Sequence, residues 1–402
     1  MKRLRIVVLS SLFPNSVRAQ SGLFVRERMF RVAEYADIEV ISPVPWFPGQ
    51  GLIRLFKPNY RPMPEKKEIQ QGITVHFPRF LSIPKFFRKL DGAMMARAAY
   101  KVAKQLEQQQ TIDILDSHFT YPDGLAATKV GHRLNKKVTI TLRGTELSHS
   151  KDPEKLKLML QAWQDADHMI CVANSLKQLA VSLGAQKDKF TVVGNGVDTH
   201  KFSAIAPNQA RQQMGIDEDA KVLITVGGLV RRKGFHRVID CLPELLKRYP
   251  KLVYLIVGGA SAEGNIEAEL RAQVKSLNLE EHVKFLGSLS QDKLSAPLSS
   301  ADLFVLSTAN EGWANVILES MACGTPVVAS DVGGNSEVIN SDDVGEIVPF
   351  DDHPALFASL NKGLNKEWER QAIIDYAQQN HWDTRMAKIM DIYNNLVSSR
   401  EH

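Results

Sequence analysis

The chain has 402 residues, of which 44% are hydrophobic and 24% are charged, and its formal net charge is +5. This length predicts two or three domains, and the composition excludes a wholly disordered chain. No stretch holds the ~20 consecutive apolar residues of a membrane helix. The opening apolar run, residues 4–9, is too short for a signal peptide, so we expect a cytoplasmic protein. The three cysteines favour buried free thiols over a disulfide framework or a zinc site.

In the first half of the chain, short apolar runs alternate with stretches of helical pattern. The apolar runs predict strands at residues 4–10, 38–42, 74–77, 112–116, 138–142, 169–172 and 190–193. Such alternation with continuous apolar strands predicts a parallel sheet that helices cover on both faces. Residues 44–72 are rich in proline and interrupt the pattern as an irregular excursion, and a helix is expected over residues 91–109.

The alternation restarts after residue 203, with strands predicted at residues 222–226, 252–257, 283–286, 303–306 and 326–329. We therefore expect an α/β chain of two doubly wound, Rossmann-like domains that face each other across a cleft. The prediction gives residues 1–203 to the first domain and residues 204–381 to the second, with a linker over residues 204–220. The final helix, within residues 382–402, is expected to complete the first domain. Ligands of such sheets bind beyond the carboxyl ends of the strands.

Charge is distributed unevenly: residues 1–200 carry +12, residues 201–402 carry −7, and residues 50–104 alone carry +9. This basic stretch is either a solvated surface or a peripheral face that attaches the protein to an anionic membrane, on the inner side of the plasma membrane. The basic residues proposed for that face are Lys85, Arg88 and Lys89, and the aromatic ones are Trp46, Phe47, Phe56, Phe80, Phe86 and Phe87. Nucleic acid is not expected as a partner, because no stacking-aromatic or helix-turn-helix pattern is present. The oligomeric state is left open.

The most informative stretch reads Glu-Gly-Trp-Ala-Asn-Val-Ile-Leu-Glu, at residues 311–319. It follows a predicted strand and opens a predicted helix, and a helix start offers free N–H groups and a positive dipole end that suit a phosphate. Gly312 would let a phosphate approach closely. Glu319, expected about two turns further on, has two oxygens that can accept hydrogen bonds from sugar hydroxyls. Without this context, two glutamates eight residues apart would indicate only a surface helix.

Four separated motifs, in the same order, resemble those of the family 4 retaining glycosyltransferases, which have the GT-B fold. The first runs from residue 311 to residue 337 and contains a Glu-x7-Glu spacing; the others are residues 118–124, 143–146 and 195–198. The resemblance covers nearly the whole chain. It implies a hexosyltransferase-type enzyme with a nucleotide-diphosphate-sugar donor and a glycan or lipid-linked acceptor. Such enzymes make cell-surface polysaccharides, among other products.

The resemblance also implies roles for individual residues. Glu311 would contact hydroxyls of the donor sugar, Glu319 would contact the nucleotide ribose, and His118 would lie near the reacting anomeric carbon. Further residues of the implied donor site are Gly312, Trp313, Ala314, Asn315, Gly22 and Asn195. Arg143 is assigned to the acceptor. Asp123 either contacts a substrate or caps the helix that begins near Gly124.

Cations are needed for the leaving diphosphate, and Lys233 matches the phosphate lysine of the family. The family often has an arginine five residues earlier, where this chain has Gly228. We take Arg232 as the substitute, with Arg231 as the less favoured choice. Gly22 stands alone where the family has a glycine-rich loop, and it is either a point of close substrate approach or a plain turn glycine.

No metal ion or other cofactor is expected. Asp165 and Asp167 have the spacing of a metal-binding pair, but they lie at a predicted helix-to-strand junction. In the expected mechanism the acceptor attacks the face that the diphosphate leaves, and the departing phosphate accepts the proton. Two alternatives remain: a nucleotide-sugar 2-epimerase of the same fold, and a non-catalytic protein that binds sugar nucleotides.

Overall fold

The computed structural model of the chain describes residues 3–19, 21–57, 60–83, 88–261 and 263–398, with only the backbone of Arg88. The chain divides into two compact units, residues 1–194 with 385–402 and residues 195–384. The boundary lies nine residues before the expected one, because residues 195–203 pack with the second unit. The Val197 N–H donates to the Asn380 carbonyl at 3.1 Å, and Phe202 lies in the second unit's core.

Among the residues that the structure describes, the first unit has ten strands and, before its C-terminal segment, seven α-helices. The strands are β1 (Arg5–Leu9), β2 (Asp37–Ile41), β3 (Val44–Trp46), β4 (Lys67–Gln70), β5 (Ile73–His76), β6 (Arg79–Leu81), β7 (Ile114–His118), β8 (Lys137–Leu142), β9 (His168–Cys171) and β10 (Phe190–Val192). The helices are α1 (Leu23–Val32), α2 (Gln50–Phe56), α3 (Asp91–Gln109), α4 (Leu125–Leu134), α5 (Glu146–His149), α6 (Pro153–Asp165) and α7 (Asn174–Ser182).

Eight of these strands form one sheet in the order β10-β9-β8-β7-β1-β2-β5-β4. All neighbours in it are parallel except β4 and β5, which are antiparallel. The strands β1 and β7 are entirely buried, as expected for the centre of a sheet that helices cover on both faces. The expected irregular excursion is partly regular, because β3 pairs with β6 in a separate two-stranded sheet and residues 50–56 form α2.

In the described part of the second unit there are six strands, and helices connect most of them. The strands are β11 (Val222–Val226), β12 (Val253–Val257), β13 (Val283–Gly287), β14 (Leu303–Leu306), β15 (Val327–Ser330) and β16 (Gly345–Val348). The helices are α8 (Pro207–Met214), α9 (Phe235–Leu246), α10 (Glu267–Ser276), α11 (Ser295–Ser300), α12 (Asn315–Ala322), α13 (Asn335–Val338), α14 (His353–Asn365), α15 (Arg370–Gln379) and α16 (Trp382–Ser398), which crosses into the first unit.

The parallel sheet of the second unit has the order β13-β12-β11-β14-β15-β16. Strand order reverses between β11 and β14, and ligands of such sheets bind at this switch point. The predicted linker over residues 204–220 is wrong, because it contains α8. Arg211 of that helix is buried, and its Nη2 donates to Asp302 at 2.9 Å. No helix within the described residues is both long and apolar enough to cross a membrane.

Candidate active site

Three side chains converge on one carboxylate oxygen at the switch point of the second unit. Glu311 Oε1 accepts hydrogen bonds from Lys233 Nζ at 2.6 Å, Arg232 Nη1 at 3.1 Å and Thr308 Oγ1 at 3.1 Å. Lys233 and Arg232 lie in the loop after β11, and Glu311 and Thr308 lie in the loop after β14. The structure therefore brings together Glu311, Lys233 and Arg232, which the sequence assigned to one site.

Two glycines allow the loops of this cluster to touch each other. Gly234 has a φ of 79°, and a Cβ placed on it would lie 1.8 Å from the Ser307 carbonyl oxygen. Gly333 has a φ of 57°, and a Cβ there would lie 1.7 Å from the carbonyl oxygen of Glu311. Any other residue would push the loops apart. The sequence reasoning gave these glycines no role, although Gly234 follows Lys233 directly and Gly333 lies within the motif of residues 311–337.

The second cation of the cluster is Arg232 rather than Arg231. Arg232 donates through Nε and Nη2 to both oxygens of Glu263, at 3.0 and 2.7 Å, so its head group is fixed. This contact is the main cause that raises the pKa of Arg232, with a smaller contribution from Glu311, and it outweighs burial, which lowers the pKa. Arg231 is mostly exposed and pairs with Glu269 at 3.2 Å. Gly228 leaves little room for an arginine, because a Cβ there would lie 3.1 Å from Ser261 Cβ.

The start of α12 lies beside this cluster in the chain. The helix begins at Asn315, and its cap residue Ala314 makes no side-chain cap, so the first N–H groups of the helix lack intrahelical partners. Asn195 Nδ2 donates to Asn315 Oδ1 at 2.9 Å, which joins two residues that the sequence placed at the donor. Glu319 is half-buried and lies just over one turn into the helix, not two, because the helix starts later than predicted.

The remaining residues of this motif are less exposed than a surface loop would be. Gly312 is buried, and Trp313 is half-buried against the core of the second unit. The indole N–H of Trp313 is buried and has no hydrogen-bond partner among the described residues. Glu263 and Thr308 belong to the site but were missed, because neither lies in a recognisable motif.

In the first unit, His118 ends β7 and is completely buried. Its Nδ1 accepts a hydrogen bond from Arg143 Nε at 3.0 Å, and its Nε2 lies 3.2 Å from Asp116 Oδ2. Burial, followed by the charge of Arg143, lowers the pKa of His118 to about 4, so the ring is neutral near pH 7. The ring therefore contacts Arg143 and Asp116, and none of its surface is exposed to solvent in this structure.

A buried group of charges, which the sequence reasoning missed, supports this pair. Asp116 Oδ1 accepts from Thr139 Oγ1 at 2.6 Å, and Arg28 of α1 interacts with it electrostatically. Burial alone would raise the pKa of Asp116, but His118, Thr139 and Arg28 lower it overall. Tyr393 of α16 also borders Asp116, and burial raises the pKa of its phenol. Neither Nη1 nor Nη2 of Arg28 has a hydrogen-bond partner within the described residues.

Asp123 is buried at the turn between β7 and α4. Its carboxylate accepts from the Ser11 N–H and, at 3.0 Å, from Ser11 Oγ, so it joins the end of β1 to this turn. It does not cap α4, whose cap is Gly124 without a side-chain bond. Burial raises the pKa of Asp123 to about 7. Gly22 (φ 72°) lies against its own chain, since a Cβ there would be 2.2 Å from the Leu12 carbonyl oxygen, which supports the turn-glycine alternative.

Carboxylates that the sequence considered for a metal have other partners. Asp167 accepts from Lys137 Nζ at 2.9 Å and from the Val138 N–H at 2.8 Å, as expected for a structural junction. Within the described ranges, no group of three or more His, Cys, Asp or Glu side chains is arranged to hold a metal ion. Cys171, Cys241 and Cys323 are buried free thiols.

The residues predicted for a membrane face divide into three groups. Lys85, Phe86, Phe87 and the side chain of Arg88 lie outside the described residues. Three aromatics are half-buried or buried and cannot form an exposed face: Trp46, Phe47 and Phe80. Lys89 is exposed, and its Nζ lies 3.5 Å from Glu154. Phe56 is 87% exposed and remains a candidate.

Two family models match the chain. Residues 207–380 match glycosyl transferases group 1, and residues 53–201 match glycosyltransferase family 4. A similar relative is a putative teichuronic acid biosynthesis glycosyltransferase of Bacillus subtilis, with 25% identity over 400 residues that cover 98% of this chain and 94% of that protein. A D-inositol 3-phosphate glycosyltransferase of Acidothermus cellulolyticus is 31% identical over 254 residues, 61% of this chain and 54% of that protein.

Solved structures share the fold of the chain. Sucrose-phosphate synthase of Thermosynechococcus elongatus aligns with a TM-score of 0.78 at 18% identity, over 99% of this chain and 100% of that one. The Anabaena protein HepE, solved in complex with UDP-glucose, aligns with a TM-score of 0.72 at 18% identity, over 98% and 100%. With both family models matched and both units doubly wound, the chain belongs to the family 4 glycosyltransferases and has the GT-B fold.

Proposed function

We propose that this glycosyltransferase moves a sugar from a nucleotide-diphosphate-sugar to a glycan or lipid-linked acceptor, with retention of anomeric configuration. The observation that carries the proposal is the cluster of Glu311, Lys233 and Arg232 beside the uncapped start of α12. It combines a carboxylate that can accept hydrogen bonds from sugar hydroxyls with two cations and backbone N–H groups that suit phosphate oxygens.

The cations have a defined part in this reaction. Negative charge grows on the leaving phosphate as the bond to the anomeric carbon breaks. Lys233 and Arg232 would therefore stabilise the transition state more than they stabilise the bound donor. Both already hold fixed positions on Glu311, so little reorganisation is needed. Because they carry positive charge, we propose that no metal ion is required at the diphosphate.

The donor is proposed to be a UDP-sugar. HepE, which shares the fold, was solved in complex with UDP-glucose. The second unit is doubly wound, and nucleotides commonly bind at the switch point of such sheets, which supports this proposal. The acceptor is proposed to belong to cell-surface polysaccharide synthesis, as the name of the Bacillus subtilis relative indicates for that protein.

We also propose that the first unit attaches peripherally to an anionic membrane. The short helix α2 exposes Leu52, Leu55 and Phe56 by 67%, 75% and 87%, beside Arg54. Exposed apolar side chains with basic neighbours fit a leaflet that carries anionic lipids. Co-sedimentation with anionic vesicles should fall in the Leu55→Ser, Phe56→Ser variant, and equal pelleting of variant and wild type would refute this face.

The function is tested by incubating the chain with UDP-, GDP- and ADP-sugars and measuring release of the nucleoside diphosphate. A transferase releases it faster when an acceptor mixture is added, and the product keeps the donor's anomeric configuration by NMR. A 2-epimerase would isomerise the donor with no acceptor present. A protein that only binds would bind a nucleotide-sugar and turn over none.

A further inference from the structure

A groove of about 600 Å³ lies in the first unit, between the β5–β6 segment and α3. Its volume is in the range of sites that hold a small organic ligand. Its walls include aromatic and aliphatic side chains, namely Phe77, Phe80, Leu81, Met94 and Val102. Four exposed cations also line it: Lys66, Arg79, Arg97 and Lys101.

These four cations form no ion pair with any residue that the structure describes. The one other titratable residue of the lining, His76, contacts Glu39 at 3.1 Å, and Glu39 also pairs with Arg5. The groove therefore carries an excess of positive charge, which favours an anionic ligand. Its apolar walls cannot satisfy sugar hydroxyls, which cost free energy when they are buried without hydrogen bonds.

His76, which lines the groove, lies at the same edge of the sheet as the end of β7 that carries His118. His76 is in register with Ile41, Ile41 with Leu9, and Leu9 with Ser117, so the ends of β5, β2, β1 and β7 are level. Three strand spacings of ~4.8 Å put the end of β5 roughly 15 Å from the end of β7.

The helix α3 connects the groove to the turn that carries Asp123. A Cβ on Gly92, at the start of α3, would lie 2.9 Å from Leu125 Cδ2 and 3.5 Å from the Pro122 carbonyl oxygen. The first turn of α3 therefore packs against the segment that follows β7. A ligand in the groove would have its polar end within one helix length of the proposed acceptor residues.

The segment that follows β6 is linked by hydrogen bonds to α2. Leu81, which ends β6, and Ile83 are partly exposed. Arg61 Nη1 donates to the Ser82 carbonyl at 2.9 Å, and Arg54 of α2 donates to the Arg61 carbonyl at 2.8 Å. These bonds hold α2, with its exposed apolar side chains, beside the segment that follows β6.

We propose that this groove binds a lipid phosphate, a single amphiphile whose phosphate contacts the cations and whose hydrocarbon chain lies on the apolar wall. A free phosphate would leave that wall uncovered, and a glycan would leave its hydroxyls unpaired. The inference rests on the proposed function, because it makes the lipid phosphate the anchor of the acceptor.

The test measures binding to the full chain by calorimetry with no donor present. The probes are farnesyl phosphate below its micelle-forming concentration, farnesol and inorganic phosphate. Farnesyl phosphate should bind at least tenfold more tightly than either of the others. Equal affinity for the three probes, or no binding of farnesyl phosphate at millimolar concentration, overturns the proposal.

Variants then locate the site. The Arg79→Ala, Arg97→Ala double variant should weaken farnesyl phosphate binding at least tenfold, and Met94→Glu, which introduces a charge on the apolar wall, should do the same. The matched control Lys104→Ala, Lys129→Ala also removes two charges, one of them from α3, and should stay within twofold of wild type. Melting curves that match the wild type exclude misfolding.

If the double variant binds anionic vesicles less well but binds farnesyl phosphate as wild type does, the cations serve a flat membrane face and the groove proposal fails. Failure of the proposed function is separate, because it appears as an absence of nucleotide-sugar turnover in the wild type. Probe binding without a donor does not depend on that turnover.

Discussion

Glu311 has one oxygen that accepts from Lys233, Arg232 and Thr308, so its carboxylate is fixed before any substrate binds. We predict that Glu311→Ala lowers sugar transfer by a factor of about 10² or more, because a preorganised hydrogen-bonding group is lost. Folding should be retained, since the site lies in loops. Glu319→Ala should instead weaken nucleotide affinity.

Calorimetry with UDP and a transfer assay separate the two roles. A Glu311→Ala variant that keeps most of its transfer rate would sink the assignment of Glu311. Unchanged UDP affinity in Glu319→Ala would refute contact with the ribose.

Asp123 gives the chain a stability that depends on pH. Burial raises its pKa to about 7, against ~3.9 in an unfolded chain. Between those values the folded state keeps a proton that the unfolded state has lost, so this carboxyl lowers the free energy of unfolding as pH rises from 4 to 7. The Asp123→Asn variant should not show this fall in the free energy of unfolding.

Urea unfolding at pH 4.5 and pH 8 measures this effect. The variant should gain stability relative to wild type at pH 8, by an amount on the order of 4 kcal/mol, and should gain little at pH 4.5. A difference between variant and wild type that is the same at both values would show that Asp123 does not hold its proton.

The sequence predicted several residues of the candidate site, but not the side chains that contact them. Lys233 and Glu311 are 78 positions apart in the chain, yet the resemblance assigned both to the donor, and the distance from Nζ to Oε1 is 2.6 Å. Glu263 and Arg28 could not be predicted, since a side chain's partner across two elements depends on packing that a single sequence does not encode locally. His118 was predicted beside the sugar, and its burial between Arg143 and Asp116 leaves that role a prediction.

At the scale of elements, three segments meet at one buried carboxylate. Asp116 of β7 has Arg28 of α1 on one side and Tyr393 of α16 nearby, with Arg143 bonded to His118. Asp116→Asn leaves the buried arginines without this counter-charge. Within the described residues no direct ion pair joins Asp116 to either arginine, but removing the negative charge near two buried arginines should lower the free energy of unfolding by up to the ~3–5 kcal/mol of a broken buried ion pair.

Hydrogen exchange of the β1 and β7 amides should therefore accelerate in Asp116→Asn. Asp37→Asn is the control, because Asp37 is half-exposed in its pair with Arg3 and such pairs contribute ~0–1 kcal/mol. Equal protection of β7 in the two variants would contradict the stabilising role of Asp116.

The buried strands were predicted to within about two residues, because a continuous aliphatic run such as β11 has no other stable place than a sheet centre. The short strands β3 and β4 of the first unit were not predicted. The strand β4 is polar and alternates between exposed and half-buried positions, and β3 is a three-residue strand with a proline at its centre. Such short edges form because a neighbouring segment supplies the hydrogen bonds, which the local pattern does not reveal.

At the scale of the whole molecule, cations and a helix start are proposed to replace a divalent ion at the diphosphate. Transfer should then persist in EDTA at no less than half the rate without it. Complete loss that magnesium or manganese restores would overturn this account and return attention to Asp165 and Asp167, although Asp167 is bonded to Lys137.

The claim central to this account is that Lys233 and Arg232 act on the leaving diphosphate. Its most direct measurement is the rate of nucleoside diphosphate release, with acceptor present, in Arg232→Ala, Lys233→Ala and the neighbouring Arg231→Ala. Loss of one such stabilising group costs ~2.7–4 kcal/mol of barrier, or about 10²–10³ in rate, so the first two variants should fall by that factor. Arg231→Ala, whose side chain pairs with Glu269 at the surface, should stay within twofold of wild type. Equal rates in all three variants would contradict the account.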